Sequence, residues 1–93
     1  MKETENIMDS VTKVTGICKR KMLSRSRLWP IVEARMLFVL FMSRTGHIDE
    51  VTASALGRNR TTILKTRHTA VRYVTVSNSF QDKYAKLSAQ YGS

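Results

Sequence analysis

The ten residues from Leu56 to Lys65, reading Leu-Gly-Arg-Asn-Arg-Thr-Thr-Ile-Leu-Lys, concentrate the side chains with most to offer another molecule. Arg58, Arg60 and Lys65 carry positive charge, while Asn59, Thr61 and Thr62 can both donate and accept hydrogen bonds. Gly57 marks a turn. Asn59 is a good helix N-cap, because its side-chain oxygen can accept from an otherwise unpaired first-turn N–H. The segment beyond has helical apolar spacing at Ile63, Ala70 and Val74. Arg58, Arg60, Thr61 and Thr62 therefore crowd the start of a helix, where the positive end of the dipole makes cations unfavourable. A local cost of this kind points to a functional site. A polyanion would resolve it, accepting from the terminal amides and pairing with the arginines. The stretch reads as the beginning of a DNA recognition helix.

A second basic segment lies earlier in the chain: Lys19, Arg20 and Lys21, then Ser24-Arg25-Ser26-Arg27. Small hydroxyl residues between arginines favour a loop whose guanidinium groups reach outward. The whole chain is basic as well, with a formal charge of +9 on 93 residues. Such a charge repels itself in a compact monomer, so a polyanionic partner is the natural counterpart. Nucleic acid is the commonest one, an anionic membrane surface comes second, and a merely solubilising surface is the bland alternative. Chemistry of other kinds finds little support. Cys18 is the single cysteine, which precludes an internal disulfide and suits a reducing compartment. With only His47 and His68 beside it, no metal site or other cofactor is expected. No Ser/His/Asp set or carboxylate pair has a catalytic spacing, so neither an enzyme nor a small-molecule substrate is expected. The N-terminus lacks a signal-peptide apolar region, and the run from Met36 to Met42 is too short to span a bilayer. A cytoplasmic protein is expected.

The elements that must position these residues read as five or six short helices in one domain, residues 1–93. Ile7, Met8, Val11 and Val14 share one face of a helix over about Glu5–Val14, with Thr4 as its cap and Gly16 as its end. Ile17 to Leu23 suggests a short second helix with Ile17, Cys18, Met22 and Leu23 turned inward. Pro30 suits the first position of a central helix over Ile31–Arg44, apolar on almost every side from Met36 onward. A buried strand is the rival for Met36–Met42; the length and the Met/Leu/Phe content favour helix. Ile48 to Leu56 gives another short helix with Ile48, Val51, Ala55 and Leu56 inside. Helix, Gly57 turn, helix is then a helix-turn-helix arrangement. The second of the pair runs to about Val76, although the β-branched stretch from Val71 could be a strand. Ser77-Asn78-Ser79 is a break with good caps, and Phe80, Tyr84, Leu87 and Tyr91 form the core stripe of a last helix.

Taken together, the basic loop, the apolar central helix and Leu-Gly-Arg-Asn-Arg-Thr-Thr-Ile at 56–63 resemble the C-terminal DNA-binding domain of DnaA, the bacterial chromosomal replication initiator. The family's hallmark here is Gly-Arg-Asp-His-Thr-Thr-Val or close to it. The resemblance runs from roughly Ile7 to Leu87, and Ile-Val-Glu-Ala-Arg at 31–35 is similar to the start of the family's long helix. It implies an all-α domain binding a short duplex element, the DnaA box. One helix would enter the major groove and a basic-loop arginine the adjacent minor groove. By position, it implies base-edge contacts for Asn59, Arg60 and Thr61, and a phosphate contact for Thr62. Arg27 matches the minor-groove arginine with Arg25 beside it, Arg35 a backbone-contacting arginine, and Ile48 an apolar contact. Arg58, Lys65 and Arg67 join them as candidate phosphate or groove contacts.

The departures from the family bear on specificity. Asn59 stands where the family has aspartate and Arg60 where it has histidine. Asparagine prefers the N6/N7 edge of adenine, and arginine can grip guanine O6 and N7 bidentately. Asp49 replaces a usual proline and Thr52 a usual glycine. The expected partner is double-stranded DNA, as the resemblance implies; no glycine-rich phosphate loop occurs in these residues, so binding is expected without an ATPase domain. Two other classes stay open: an adaptor docking on other replication proteins, and RNA or non-specific nucleic-acid binding.

Overall fold

The computed structural model describes residues 2–92, with side chains from Glu3 to Tyr91. Met1 and Ser93, the ends of the expected domain, lie outside the described residues. The chain is all-α, with six helices and no strand among the described residues: α1 (Lys2–Thr15), α2 (Lys19–Leu23), α3 (Trp29–Arg44), α4 (Asp49–Leu56), α5 (Arg60–Val76) and α6 (Asn78–Gly92). Every other helix packs against α3. Its residues from Met36 to Met42 are all buried, as an uninterrupted apolar run in a surrounded helix requires. Around them α1 contributes Ile7, Met8 and Val11, α5 contributes Ile63 and Ala70, and α6 contributes Phe80 and Leu87. Each large side chain buried this way contributes about 1.5–3 kcal/mol of transfer free energy. No described helix is long and apolar enough to cross a membrane.

The connections follow from local chemistry. Helices α3 and α4 end alike, on glycines in the left-handed region, Gly46 at φ 93° and Gly57 at φ 63°. In both, the next residue reaches back across the turn: His47 N–H donates to the Met42 carbonyl and Arg58 N–H to the Ala53 carbonyl, each at 3.0 Å. This is a Schellman closure, and it needs a residue that tolerates positive φ. Asn59 then caps α5 as expected, its Oδ1 accepting from Thr62 N–H at 2.8 Å. Ser77 alone separates α5 from α6, and its Oγ accepts from Phe80 N–H. Residues 71–76 are helical, because Tyr73 and Val74 pack on the core and outweigh β-branched propensity.

Four expectations are corrected. Helix α1 begins at Lys2, so Thr4 is a buried residue of its first turn rather than its cap. Cys18 is exposed, because α2 starts only at Lys19 and Cys18 becomes its N-cap position. Ile48 likewise precedes α4 and stands outside, so Thr52, Ala53 and Leu56 form the buried face. Helix α3 begins at Trp29, one residue before Pro30, with Leu28 at its N-cap.

Candidate nucleic-acid interface

The segment Ser24–Leu28 alternates. Ser24 and Ser26 are half-buried, whereas Arg25, Arg27 and Leu28 are exposed. Seryl side chains build the bend: Ser24 Oγ accepts from Ser26 N–H and Ser26 Oγ from Leu28 N–H, both at 3.3 Å. Such hydroxyl turns replace the backbone ladder that a loop lacks. Two arginines from outside the loop then fix it. Arg35, on α3, donates from Nε to the Met22 carbonyl and from Nη1 to the Ser26 carbonyl, both at 2.7 Å. Its Nη2 reaches the carbonyls of Lys21 and Ser24. Arg58, in the turn before α5, reaches the carbonyls of Leu23, Ser24 and Leu56. The planar guanidinium fork, with five donors, suits such a task. Burial draws Arg35 below the usual arginine range, and the charge of Arg58 adds to this, but the group remains a cation.

The ten-residue stretch therefore divides. Arg58 does not crowd the first turn of α5; it turns back to the loop and ties it to the helix start. Arg60, Thr61 and Lys65 are exposed, and neither Arg60 nor Lys65 makes a side-chain hydrogen bond or ion pair. Asn59 spends Oδ1 on the cap, which leaves only its Nδ2 donors uncommitted and weakens its fitness for two-point adenine reading. Thr62 N–H is taken by that cap, and its hydroxyl lies at a groove of about 300 Å³ between α3 and α5. Val32, Met36 and Ile63 line the groove, with Arg58 and Lys65 among its cations.

Two further candidates sit differently. Arg67 forms a two-point pair with Asp49, Nε to Oδ1 and Nη2 to Oδ2, each at 3.0 Å. That pairing raises its pKa, through the hydrogen bond first. It fastens α5 to the start of α4, and it explains why an aspartate suits position 49. Ile48 is 62% exposed and shares a shallow hollow with Asp49, Glu50 and Arg60, so the residue ahead of α4 presents an apolar corner beside the first turn of α5.

Arg25, Arg27, Arg60 and Lys65 thus stand free beside a loop and a helix start that Arg35 and Arg58 hold together. The stretches that carry them hold no acid, since no Asp or Glu occurs between Asp9 and Glu33 or between Glu50 and Asp82, although Asp49 and Glu50 share the hollow beside Arg60. Sequence reasoning passed over Leu28 and Trp29. Both are exposed, and the Trp29 ring lies against Tyr73 with centroids 5.4 Å apart. Their available signal was two large apolar residues placed between Arg27 and Pro30, outside any helical stripe. Among the described residues, no three His, Cys, Asp or Glu side chains converge where a cation could be held. Comparison with protein-family models, curated proteins and solved structures finds no match.

Proposed function

We propose that this chain binds double-stranded DNA in a sequence-dependent manner. The first turn of α5 enters the major groove, and the Ser24–Leu28 loop lies in the adjacent minor groove. One observation carries the proposal. Arg35 and Arg58 are anchored by backbone carbonyls rather than carboxylates, so they organise the loop without neutralising its charge. A loop braced by cations repels itself, and this arrangement makes sense opposite phosphates. Arg25 and Arg27 then face the minor groove, Arg60 and Thr61 the base edges, Lys65 the backbone, and Ile48 an apolar edge such as a thymine methyl. Arg35, Arg58 and Arg67 act from behind, as positioning residues. The likeness of residues 56–63 to the DnaA C-terminal domain supports the same docking and suggests a role at a replication origin or on a mobile element. Such a protein works on the nucleoid.

The test is selection from a random duplex library, at about 50 mM and about 200 mM salt, with the initiator box as comparison. A recovered consensus is the expected result. Equal binding to all duplexes makes the protein a non-specific nucleic-acid binder. Failure to bind at the lower salt favours an adaptor that docks on replication proteins.

A further inference from the structure

The loop ahead of α3 carries an apolar tip for which the contacts above have no use. Leu28 is 68% exposed and Trp29 47% exposed, and Pro30 is also exposed. Leu28 is not a loose side chain. Its N–H donates to Ser26 Oγ, and its carbonyl accepts from Ile31 and Val32 as the N-cap of α3. Arg35 fixes the carbonyls of Ser24 and Ser26 behind it, and Tyr73 backs Trp29. The backbone thus holds a large apolar side chain in water at a fixed place, immediately after Arg27.

A surface complementary to this tip must be anionic at its rim, to meet Arg25 and Arg27, and apolar within. Duplex DNA has that section, with phosphates flanking the faces of stacked bases. We infer that Leu28 is a wedge that enters between adjacent base pairs from the minor groove, so that the protein kinks the DNA it binds. This rests on the DNA-binding function proposed above. Leucine is among the side chains that unstack a base step in this way, and partial unstacking bends the duplex toward the major groove. The bracing matters, because a mobile loop would withdraw its apolar residue instead of opening a stack. An anionic membrane has a similar rim and interior. The neighbouring first turn of α5, however, offers the exposed Arg60 and Thr61, whose hydrogen-bonding groups match base edges and not acyl chains.

A duplex containing the site recovered by selection, labelled at its two ends for energy transfer, is titrated with the full chain. Wild-type protein shortens the end-to-end distance by the amount of a kink of roughly 20–90°. Leu28→Ser changes only an exposed side chain; it keeps the helical circular dichroism and the salt dependence of binding, and leaves the duplex straight. Leu28→Met restores the kink. Wild-type binding with no change in distance overturns the wedge and leaves the DNA-binding function standing, as does Leu28→Ser bending DNA like wild type. Capture by phosphatidylserine vesicles, with no binding to the duplex, overturns both.

Discussion

On the side of the core formed by α1 and α6, charged groups meet groups that answer them. Glu3 takes His47 Nε2 at 2.9 Å and the Tyr91 hydroxyl at 3.0 Å, and the buried Glu33 of α3 takes Lys83 of α6. These contacts join the first helix, the α3–α4 turn and the last helix. On the side formed by α5 and the Ser24–Leu28 loop, arginines are held just as firmly, but by carbonyls. A carboxylate partner fixes an arginine and cancels its charge; a set of carbonyls fixes it and leaves the charge in place. Arg67, paired with Asp49, is the one arginine of α5 treated in the first manner. The same residue type therefore serves, on this one side, both as an internal tie at Arg67 and as a fixed positive field at Arg35 and Arg58.

The largest effect is expected at Arg35. Arg35→Ala should destabilise the protein by about 2–4 kcal/mol, since several charge-assisted bonds go and four carbonyls lose a donor. Lysine should recover little, because an ammonium group cannot reproduce the fork. Urea unfolding measures the first, and hydrogen exchange at the Ser26 and Leu28 amides measures loss of the loop. Loop amides that stay protected, with only DNA affinity reduced, would make Arg35 a DNA contact and dissolve the comparison.

Arg60 belongs to the outward set. Arg60→Ala should relax preference at one or two base pairs by about 1–3 kcal/mol, and Arg60→His should shift it toward the initiator box. Selection with each variant decides; a wild-type consensus bound more weakly would reduce Arg60 to a backbone clamp. The salt dependence sharpens the division further. On the proposed docking, four free cations, Arg25, Arg27, Arg60 and Lys65, should give a log–log slope of roughly −3 to −4. Arg27→Ala should make it shallower by about 0.9, with its largest loss of affinity on narrow A·T-rich grooves. Arg67→Ala should leave the slope unchanged. A wild-type slope near −6 would mean that the engaged arginines also release counterions.

On the other side, His47→Gln should cost about 0.5–1 kcal/mol in thermal or urea unfolding, as expected of a partly exposed pair. It should leave the slope alone; a change there would mean that the α1–α6 side also touches DNA. The smallest effect concerns Cys18. Its thiol lies below the ordinary cysteine range, chiefly because the Lys21 backbone N–H stabilises the thiolate, against a smaller desolvation cost and with help from Arg20. Alkylation in the folded protein should therefore titrate at lower pH than in urea. By linkage the thiolate adds stability above the unfolded thiol's pKa, and this is lost as pH falls through the folded value. Identical profiles in both states would remove the shift.

Much of this architecture was legible in the chain because it depends on neighbours. Seven apolar residues from Met36 to Met42 are incompatible with an exposed helix face, and Ile7/Val11 or Phe80/Leu87 have only one helical side to occupy. Asn59 announces the α5 cap and Gly57 the turn before it, since both act within three residues of themselves. Helix starts were less legible: Thr4 looked like a cap and is buried inside α1, whereas Cys18 and Ile48 looked like core residues and stand exposed at the N-cap positions of α2 and α4. Which arginines face inward was not written locally at all. Arg58 is as basic and as near the cap as Arg60, yet its partners, Leu23 and Ser24, lie 34 or 35 residues away. Arg35 likewise reaches across nine to fourteen residues to the loop it organises. Charge, periodicity and capping are properties of short stretches, and they determined the helices and the basic character of one surface. Donor and acceptor pairing across the fold depends on distances that exist only after packing, and it alone separated the cations that hold the loop from those left free.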